Sequence, residues 1–452
     1  MRAGWRRARR LTDFWRDEID RRRSSSYPLP EEIGKNGDTL PLLIMPGRSQ
    51  SLSPMASTLK IAIIADDLTG AMDAAAPFAK RGAHTRVLFS DNPRSAELIN
   101  APEVLARTTD SRHLDPVRAI QRVYQALSDL EDRLPFKKID STLRGNIVPE
   151  TLAVLEATGR RHLLITPAFP GQGRVLRGGE VFIHDVPLAE TAIAKDALSP
   201  PMRIPLVMAF GGKLGVFVHE IDRPLDLQLA PGEAVHVYIV DAENDNDLLR
   251  LAQFALAHRD EVVVAGSSGL GNALAVAIYG SALNLKVRRD AQPLLYIVGS
   301  RTPQSAAQLE RLVDFGAQLI VIESHEGNVD LERAIANLAR LDPNKSAYVL
   351  TLRQRDKVIP EASLVANALA TVGHRLISEL DVGAIIVTGG DTAQALMAEL
   401  AVESVDLAGE LMPGIAIGIV PYRQRNFKLV TKAGGFGDPE LFVTLMKELR
   451  AK

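Results

Sequence analysis

The sequence predicts an α/β protein built from two α/β domains with largely parallel sheets. Three observations carry this prediction. Short apolar runs rich in β-branched residues alternate with segments of helical spacing, the pattern of parallel strands joined by crossover helices. Acid- or glycine-rich turns follow several of those runs. The pattern breaks at "SALNLKVRRDAQP" (281–293), a mixed polar stretch near whose end a proline stands, and then restarts. The domains are expected at about 58–285 and 291–452, with no internal repeat.

In chain order, "LKIAIIA" (59–65) is the first expected strand. "GAMDAAAPFAKRG" follows with helical spacing and closes at Gly82, a C-cap residue. "HTRVLFS" is a strand, as are "HLLITPAF", "VHVYIVDA" and "EVVVAG", and "LGNALAVAIYG" continues the alternation. Beyond the break come the strand "LLYIVGS", the helix "TPQSAAQLERLVDFG" and the strand "AQLIVIES". "VGAIIVTGGD", "TAQALMAELA" and "FKLVTKAGGFGD" complete the second domain. Residues 1–57, dense first in arginine and then in Ser, Pro and Gly, do not fit this texture. They lack the apolar core of a secretory signal. They are read as a disordered leader, or as translation from too early a start with Met55 as the natural one, rather than as a targeting or nucleic-acid arm.

Composition narrows the function classes. A formal charge of −2 gives no overall field for nucleic acid, so any anion site must be local. Aromatics at 5% are too scarce for base-stacking surfaces. The absence of cysteine excludes disulfides, catalytic thiols and thiolate metal sites. No apolar run approaches the ~20 residues that a membrane span needs. A cytoplasmic protein is expected.

In open α/β sheets ligands bind beyond the carboxyl ends of the strands. Asp66 and Asp67 follow "IAIIA", where one can cap the next helix while the other meets a ligand or acts as a base. Arg112 in "TTDSRHLDP" offers a planar fork for a carboxylate, although a lone arginine in such a loop is more often solvated. "KKIDSTLRGN" (137–146), after the loop residues "LPF", supplies Lys137, Lys138 and Arg144 around Asp140, Ser141 and Thr142. It reads equally as an anion site or as a helix start capped by Asp140 or Ser141. "TPAFPGQGRVLRGGEVF" (166–182) reads as a long structured loop whose Arg174 and Arg177 either meet an anion or face solvent. The second domain has three glycine turns after apolar strands: "VGSRTPQ", "VTGGDTAQ" and "KAGGFGD". Such turns present backbone N–H groups and a helix dipole to phosphates. There is no GxxxxGK[ST] and no GxGxxG opening a first βα unit.

Taken together, "IADDLTGAMDAA", "TTDSR", "KKIDSTLRGN", "PAFPGQGR", "DAENDNDL", "GSSGLGNALA", "VTGGDTA" and "TKAGGFGD" resemble the four-carbon acid sugar kinases over residues 58–450. The resemblance implies ATP-dependent phosphorylation of the terminal hydroxyl of threonate, erythronate or 3-oxo-tetronate. It places the active site in the cleft between an acid-sugar domain and a nucleotide domain. By motif, substrate contacts then fall on Asp67, Arg112, Lys138, Ile139, Asp140 and Ser141; Asp66 and Arg144 are added from their positions beside these, and Asp67 or Asp140 is expected to act as the base. Nucleotide contacts fall on Ser300, Gly389, Gly390, Asp391 and Thr392, and on Gly434 or Gly435. ATP and Mg²⁺ are the implied cofactors, with metal ligands unassigned. The partners are the acid sugar and ATP, without nucleic acid or membrane, and homo-oligomerisation is left open. One departure is "RGGEVF" with Glu180, where many relatives carry Gly-His or Gly-Lys after the "GR" loop. The rivals are a non-catalytic acid-sugar sensor or effector and a nicotinamide-dependent dehydrogenase. The dehydrogenase lacks its glycine fingerprint.

Overall fold

The computed structural model describes residues 59–89, 102–128, 130, 133–195, 200–213, 215–283 and 287–450. The reading of residues 1–57 lies outside these. The first half carries β1 (Ile61–Ala65), α1 (Leu68–Ala79), β2 (Thr85–Leu88), β3 (Val104–Thr108), α2 (Pro116–Leu127), β4 (Leu134–Lys138), α3 (Ile147–Thr158) and β5 (His162–Thr166). A small sheet of β6 (Arg174–Arg177), β7 (Glu180–Ile183) and β8 (Val186–Pro187) follows. Next come α4 (Leu206–Gly211), β9 (Val216–Ile221), β10 (Val235–Val240), α5 (Asp245–Ala257), β11 (Val262–Gly266) and α6 (Ser268–Tyr279).

The second half holds β12 (Leu294–Val298), α7 (Pro303–Asp314), β13 (Gln318–His325), β14 (Asn328–Asp330), α8 (Leu331–Asn337) and β15 (Ala347–Gln354). It ends with α9 (Ala362–Glu379), β16 (Ala384–Thr388), α10 (Gly390–Glu399), β17 (Ser404–Met412), β18 (Ile415–Tyr422), β19 (Arg425–Lys432) and α11 (Leu441–Leu449).

Sixteen strands form one hydrogen-bonded sheet in the order β14-β13-β15-β12-β16-β19-β18-β17-β2-β3-β1-β4-β11-β5-β10-β9. It is largely parallel, as the alternation predicts. The antiparallel pairs are β13–β14 at one edge and the run β19-β18-β17-β2 where the halves meet. Ser404 lies opposite Leu88 in that junction. The strands β1, β3, β4, β5, β11, β12 and β16 are buried along their whole length. That is why β1, β5, β11, β12 and β16 read as near-continuous apolar runs rather than as alternation.

Helix α1 explains its own composition. Its residues from Leu68 to Phe78 are all buried, because it lies between the halves, packed on β3, α6 and α10 and on β17, β18 and β19. Small side chains ease so crowded a position, and Gly70, Ala71, Ala74, Ala75 and Ala76 supply them between the larger Leu68, Met72 and Phe78. Thr431 of β19 reaches Met72 Sδ at 3.5 Å across this contact.

Three expectations need correction. "LPF" is not loop but the start of β4, a central strand buried on both faces. "KKIDSTLRGN" does not start a helix at Asp140 or Ser141: α3 begins at Ile147, after Asn146. Asp140 instead closes a tight turn, its Oδ1 accepting from Thr142 N at 2.7 Å and Thr142 Oγ1 at 2.5 Å. Leu143 takes φ +61 there and Gly145 φ +88, dihedrals that a helix start forbids. Finally, "TPAFPGQGRVLRGGEVF" is a hairpin rather than a loop. Asp241 pins its tip by accepting from the Gly178 and Gly179 amides.

Candidate active site

Three adjacent parallel strands, β3-β1-β4, end together, and each carries one motif past its carboxyl end. Asp66 and Asp67 follow β1, Arg112 follows β3, and Ile139 to Ser141 follow β4. The chain crosses over β1 between β3 and β4, so this is the crevice at which an open sheet takes ligands. Asp67 caps α1, its Oδ1 accepting from Gly70 N at 2.7 Å. The cap therefore falls on one oxygen of Asp67, and its other oxygen accepts from Arg112.

Arg112 is far from solvated. Its Nε and NH2 donate to Asp66 at 2.8 and 2.9 Å, and its NH1 donates to Asp67 Oδ2 at 2.5 Å. Burial alone would raise the Asp66 pKa, but Arg112, Lys137 and Lys138 together hold it below its ordinary value. Asp140 follows the same logic. Burial pushes it up, and Arg144, Arg112 and Lys138 outweigh burial and keep it well below the carboxylate range. Arg144 Nε and NH2 meet Asp140 Oδ2 at 3.0 and 2.6 Å.

The adjacent lysines separate in role. Lys137 is buried beneath the site, paired with Glu150 at 2.7 Å. Ser111 Oγ also donates to Glu150, at 2.7 Å, which ties β4 to the "TTDSR" turn. Lys138 has no carboxylate within ion-pair distance among the described residues. Its Nζ donates to Ile139 O at 3.0 Å, and its charge lowers Asp66, Asp73 and Asp140.

Sequence reasoning passed over Asp73, on α1. It is buried, accepts from Ser268 Oγ at 2.5 Å, and leaves Oδ1 without a hydrogen-bond partner. Burial raises its pKa to about 6, against the pull of Lys138 and Ser268. The signal was present: an acid six residues after Asp67, inside an alanine-rich helix, has no apolar reason to be buried.

The second half repeats the arrangement with different chemistry. Three adjacent parallel strands, β12-β16-β19, end in the three glycine turns. Gly389 takes φ +105, and Gly390 opens α10. Ser300 Oγ lies 3.2 Å from Thr302 Oγ1, and Gly434 O accepts from Thr302 Oγ1 at 2.8 Å and Ser305 Oγ at 3.0 Å. Gly435 faces open space. Beside Ser300 a cavity of about 370 Å³ is lined by Val298, Leu319, Val365, Thr351 and Arg353. Beneath the turns Lys432 is fully buried, its Nζ donating to Gly434 O at 2.9 Å and Ala433 O at 3.0 Å. Burial pulls its pKa down to about 7.

The two sets of strand ends meet. A Cβ on Gly390 would stand 2.7 Å from Asp67 Oδ2, so only glycine admits this approach. His113 Nε2 lies 3.7 Å from Asp391 Oδ2. The structure therefore brings Asp66, Asp67, Arg112, Lys138, Ile139, Asp140, Ser141 and Arg144 to one side of a junction. It brings Ser300, Gly389, Gly390, Asp391, Thr392, Gly434 and Gly435 to the other. Among the described residues no cluster of three or more His, Asp or Glu side chains could hold a metal. No helix among them is long and apolar enough to cross a membrane.

Comparison with known proteins adds to this geometry. Residues 61–274 match the family model described as a sugar-binding N-terminal domain, and residues 295–442 match one described as a nucleotide-binding C-terminal domain. The chain is 30% identical over 418 residues to the D-threonate kinase of Salmonella typhimurium, covering 84% of this chain and 96% of that protein. It is 27% identical to the D-erythronate kinase of Heliobacterium modesticaldum, covering 87% and 97%. The 3-oxo-tetronate kinase of Burkholderia multivorans is also 27% identical, with 88% and 99% covered. A solved structure from Salmonella typhimurium LT2 shares the fold at a TM-score of 0.68 and 21% identity, covering 86% of this chain and all of that one.

Proposed function

The chain belongs to the four-carbon acid sugar kinase family, and from that premise we propose that it transfers the terminal phosphoryl group of ATP to the C4 hydroxyl of threonate, erythronate or a 3-oxo-tetronate. The observation that carries this reading is the contact of Asp67 with Gly390. There an acid aimed from the sugar side touches the N-terminus of a helix suited to phosphate. The domain division follows the same line, with residues 58–285 for the acid sugar and 291–452 for the nucleotide.

Phosphoryl transfer asks chiefly for positioning and charge neutralisation. Arg112 and Lys138 would hold the substrate carboxylate and neighbouring hydroxyls, with Ser141 and the Ile139 backbone completing the grip. Asp66 fixes the Arg112 fork. Of the two candidate bases, Asp67 is preferred. Both acids accept hydrogen bonds on both oxygens, but Asp140 is held strongly acidic by Arg144, which suits it to orient the turn, whereas Asp67 stands against Gly390. The C4 oxygen attacks the γ-phosphorus, its proton passes to Asp67, and the bond to the β–γ bridging oxygen breaks to release ADP. Ser300, Gly389, Gly390, Asp391, Thr392 and the Gly434–Gly435 turn would cradle the phosphates, and the cavity beside Ser300 would take the base and ribose. Mg²⁺ usually binds through phosphates, waters and one or two carboxylates. Among the described residues there is no preformed metal-holding cluster, so Asp391 is the nucleotide-side carboxylate that would complete the Mg²⁺ shell, and the metal's charge would offset that of the phosphates.

The test is a coupled assay of ADP release with ATP and a panel of D- and L-threonate, D-erythronate and 3-oxo-tetronates. Acid-dependent turnover that falls at least 100-fold in Asp67→Asn is expected. Tight binding of an acid sugar with no ADP release would favour a sensor instead.

A further inference from the structure

Arg174 opens β6, in the first half of the chain, and no role in the reading above uses it. Its NH1 donates to Ser141 Oγ, beside the acid-sugar turn. Its guanidinium carbon lies 5.0 Å from the ring centroid of Phe436, which directly follows the Gly434–Gly435 turn on the nucleotide side. Phe436 is held in turn by an edge contact with Phe169, ring centroids 6.1 Å apart, and by close packing on Gly414. Gln172, in the same hairpin, donates to Pro413 O at 3.1 Å. The hairpin therefore reaches across the junction and is latched to the other half.

The neighbouring arginines all have acids. Arg112 holds Asp66 and Asp67, Arg144 holds Asp140, and Arg177 holds Glu243. Arg174 has no ion pair among the described residues, and its Nε is buried without a hydrogen-bond partner. Arginine stays charged in proteins; Arg174 is half-buried, with Asp140 and Asp73 acting on it only from beyond ion-pair distance, and a partly buried cation with no direct counter-ion is unfavourable. A site that keeps one is built for an anion that arrives with the ligands. The substrate carboxylate already has Arg112 and Lys138, and the rest of the nucleotide has the glycine turns. What lacks a cation is the group that moves between Ser141 and the Gly434–Gly435 turn.

Resting on the kinase reading, we propose that Arg174 contacts the transferred phosphoryl group, and that Phe436 holds its guanidinium at that point. A cation carried by the acid-sugar half is thereby aimed by the nucleotide half.

The test uses Arg174→Gln, Arg174→Lys and Phe436→Leu in the full chain. The readouts are kcat and KM for both substrates, thermal midpoint, and calorimetric affinity for ADP alone and for ADP with aluminium fluoride as a phosphoryl mimic. Arg174→Gln is expected to lower kcat on the order of 10²–10³-fold, with both KM values within about threefold. Arg174→Lys, which keeps charge but loses the fork, is expected to recover part of that loss. Phe436→Leu should lower kcat less, without weakening acid-sugar binding. A raised KM for the acid sugar with kcat intact would overturn the proposal in favour of a carboxylate clamp. Unchanged kcat with a lowered thermal midpoint would overturn it in favour of a purely structural arginine. If the wild type turns over no acid sugar, the kinase reading fails separately. The fluoride arm still decides: tighter binding of ADP with fluoride than of ADP alone, lost in Arg174→Gln, supports the contact, and equal affinities refute it.

Discussion

The carboxyl ends of β3-β1-β4 and of β12-β16-β19 are alike in topology and opposite in chemistry. The first set is crowded with charge: buried Asp66, Asp67, Asp140 and Lys138 beside half-buried Arg112 and Arg144, most of them locked in pairs. The second is made of glycines, hydroxyls and backbone, with one buried lysine that meets carbonyls rather than carboxylates. The difference follows from the ligands each suits. A small hydroxy acid presents one charge and a stereochemical pattern, which fixed forks and lysines can read. A polyphosphate presents a long anionic chain, which backbone N–H groups at helix N-termini can approach closely when no Cβ intervenes.

The largest effect is expected from Arg112→Ala. It leaves Asp66 and Asp67 buried without their partner, and about 3–5 kcal/mol of stability should be lost, read from the midpoint of urea unfolding. Acid-sugar binding should vanish in calorimetry while ATP binding survives in whatever fraction stays folded. Gly390→Ala strikes the nucleotide side. Its methyl would stand 2.7 Å from Asp67 Oδ2, and overpacking of that kind costs about 1–3 kcal/mol. A kcat/KM for ATP reduced at least tenfold is expected, since Asp67 and the α10 N-terminus would be forced apart.

Two smaller effects have opposite signs in pH. Lys432 has a folded pKa of about 7 against an ordinary 10.5. The unfolded chain therefore binds the extra proton between those values. The stability linked to Lys432 is present above about pH 10.5 and is lost as pH falls through 7. Lys432→Met should flatten the rise in unfolding free energy across that window. Asp73 titrates at about 6 when folded, above its ordinary 3.8. Its linked stability is present below about pH 3.8 and is lost as pH rises through 6, so Asp73→Asn should flatten a fall there. Equal slopes in wild type and variant, in either window, would show that the buried group does not titrate as described.

The sequence told these two regions apart unevenly. The glycine turns were legible because glycine after an apolar strand has a backbone reason to be there. The charged turn was half legible. Nothing local distinguished Lys137, which pairs with Glu150 under the sheet, from Lys138, which faces the site. Adjacent residues at a strand end simply point to opposite faces. Arg112 looked like a solvated arginine because its partners, Asp66 and Asp67, lie 45 or 46 residues away in the chain. "LPF" was misread because a proline and a short run hid a strand whose burial is set by β1 and β11 on either side. The hairpin of β6 and β7 was misread as loop because glycine and proline dominate its turns.

What the sequence determined by itself was the alternation of strand and helix, the parallel character of the sheet, and the family to which the motifs point. The first two follow from apolar periodicity and turn chemistry, both local along the chain, and the family follows from the resemblance of the motifs. What only the tertiary structure decided was which charges are paired and which are left waiting. Arg177 and Arg174 stand three residues apart in one hairpin, yet one pairs with an exposed glutamate and the other lies over an aromatic ring with no ion pair among the described residues. Charge compensation is a property of three-dimensional neighbours: the paired acids come from other strand ends of the same half, whereas the ring over which Arg174 lies comes from the other half, joined through β17 and β2.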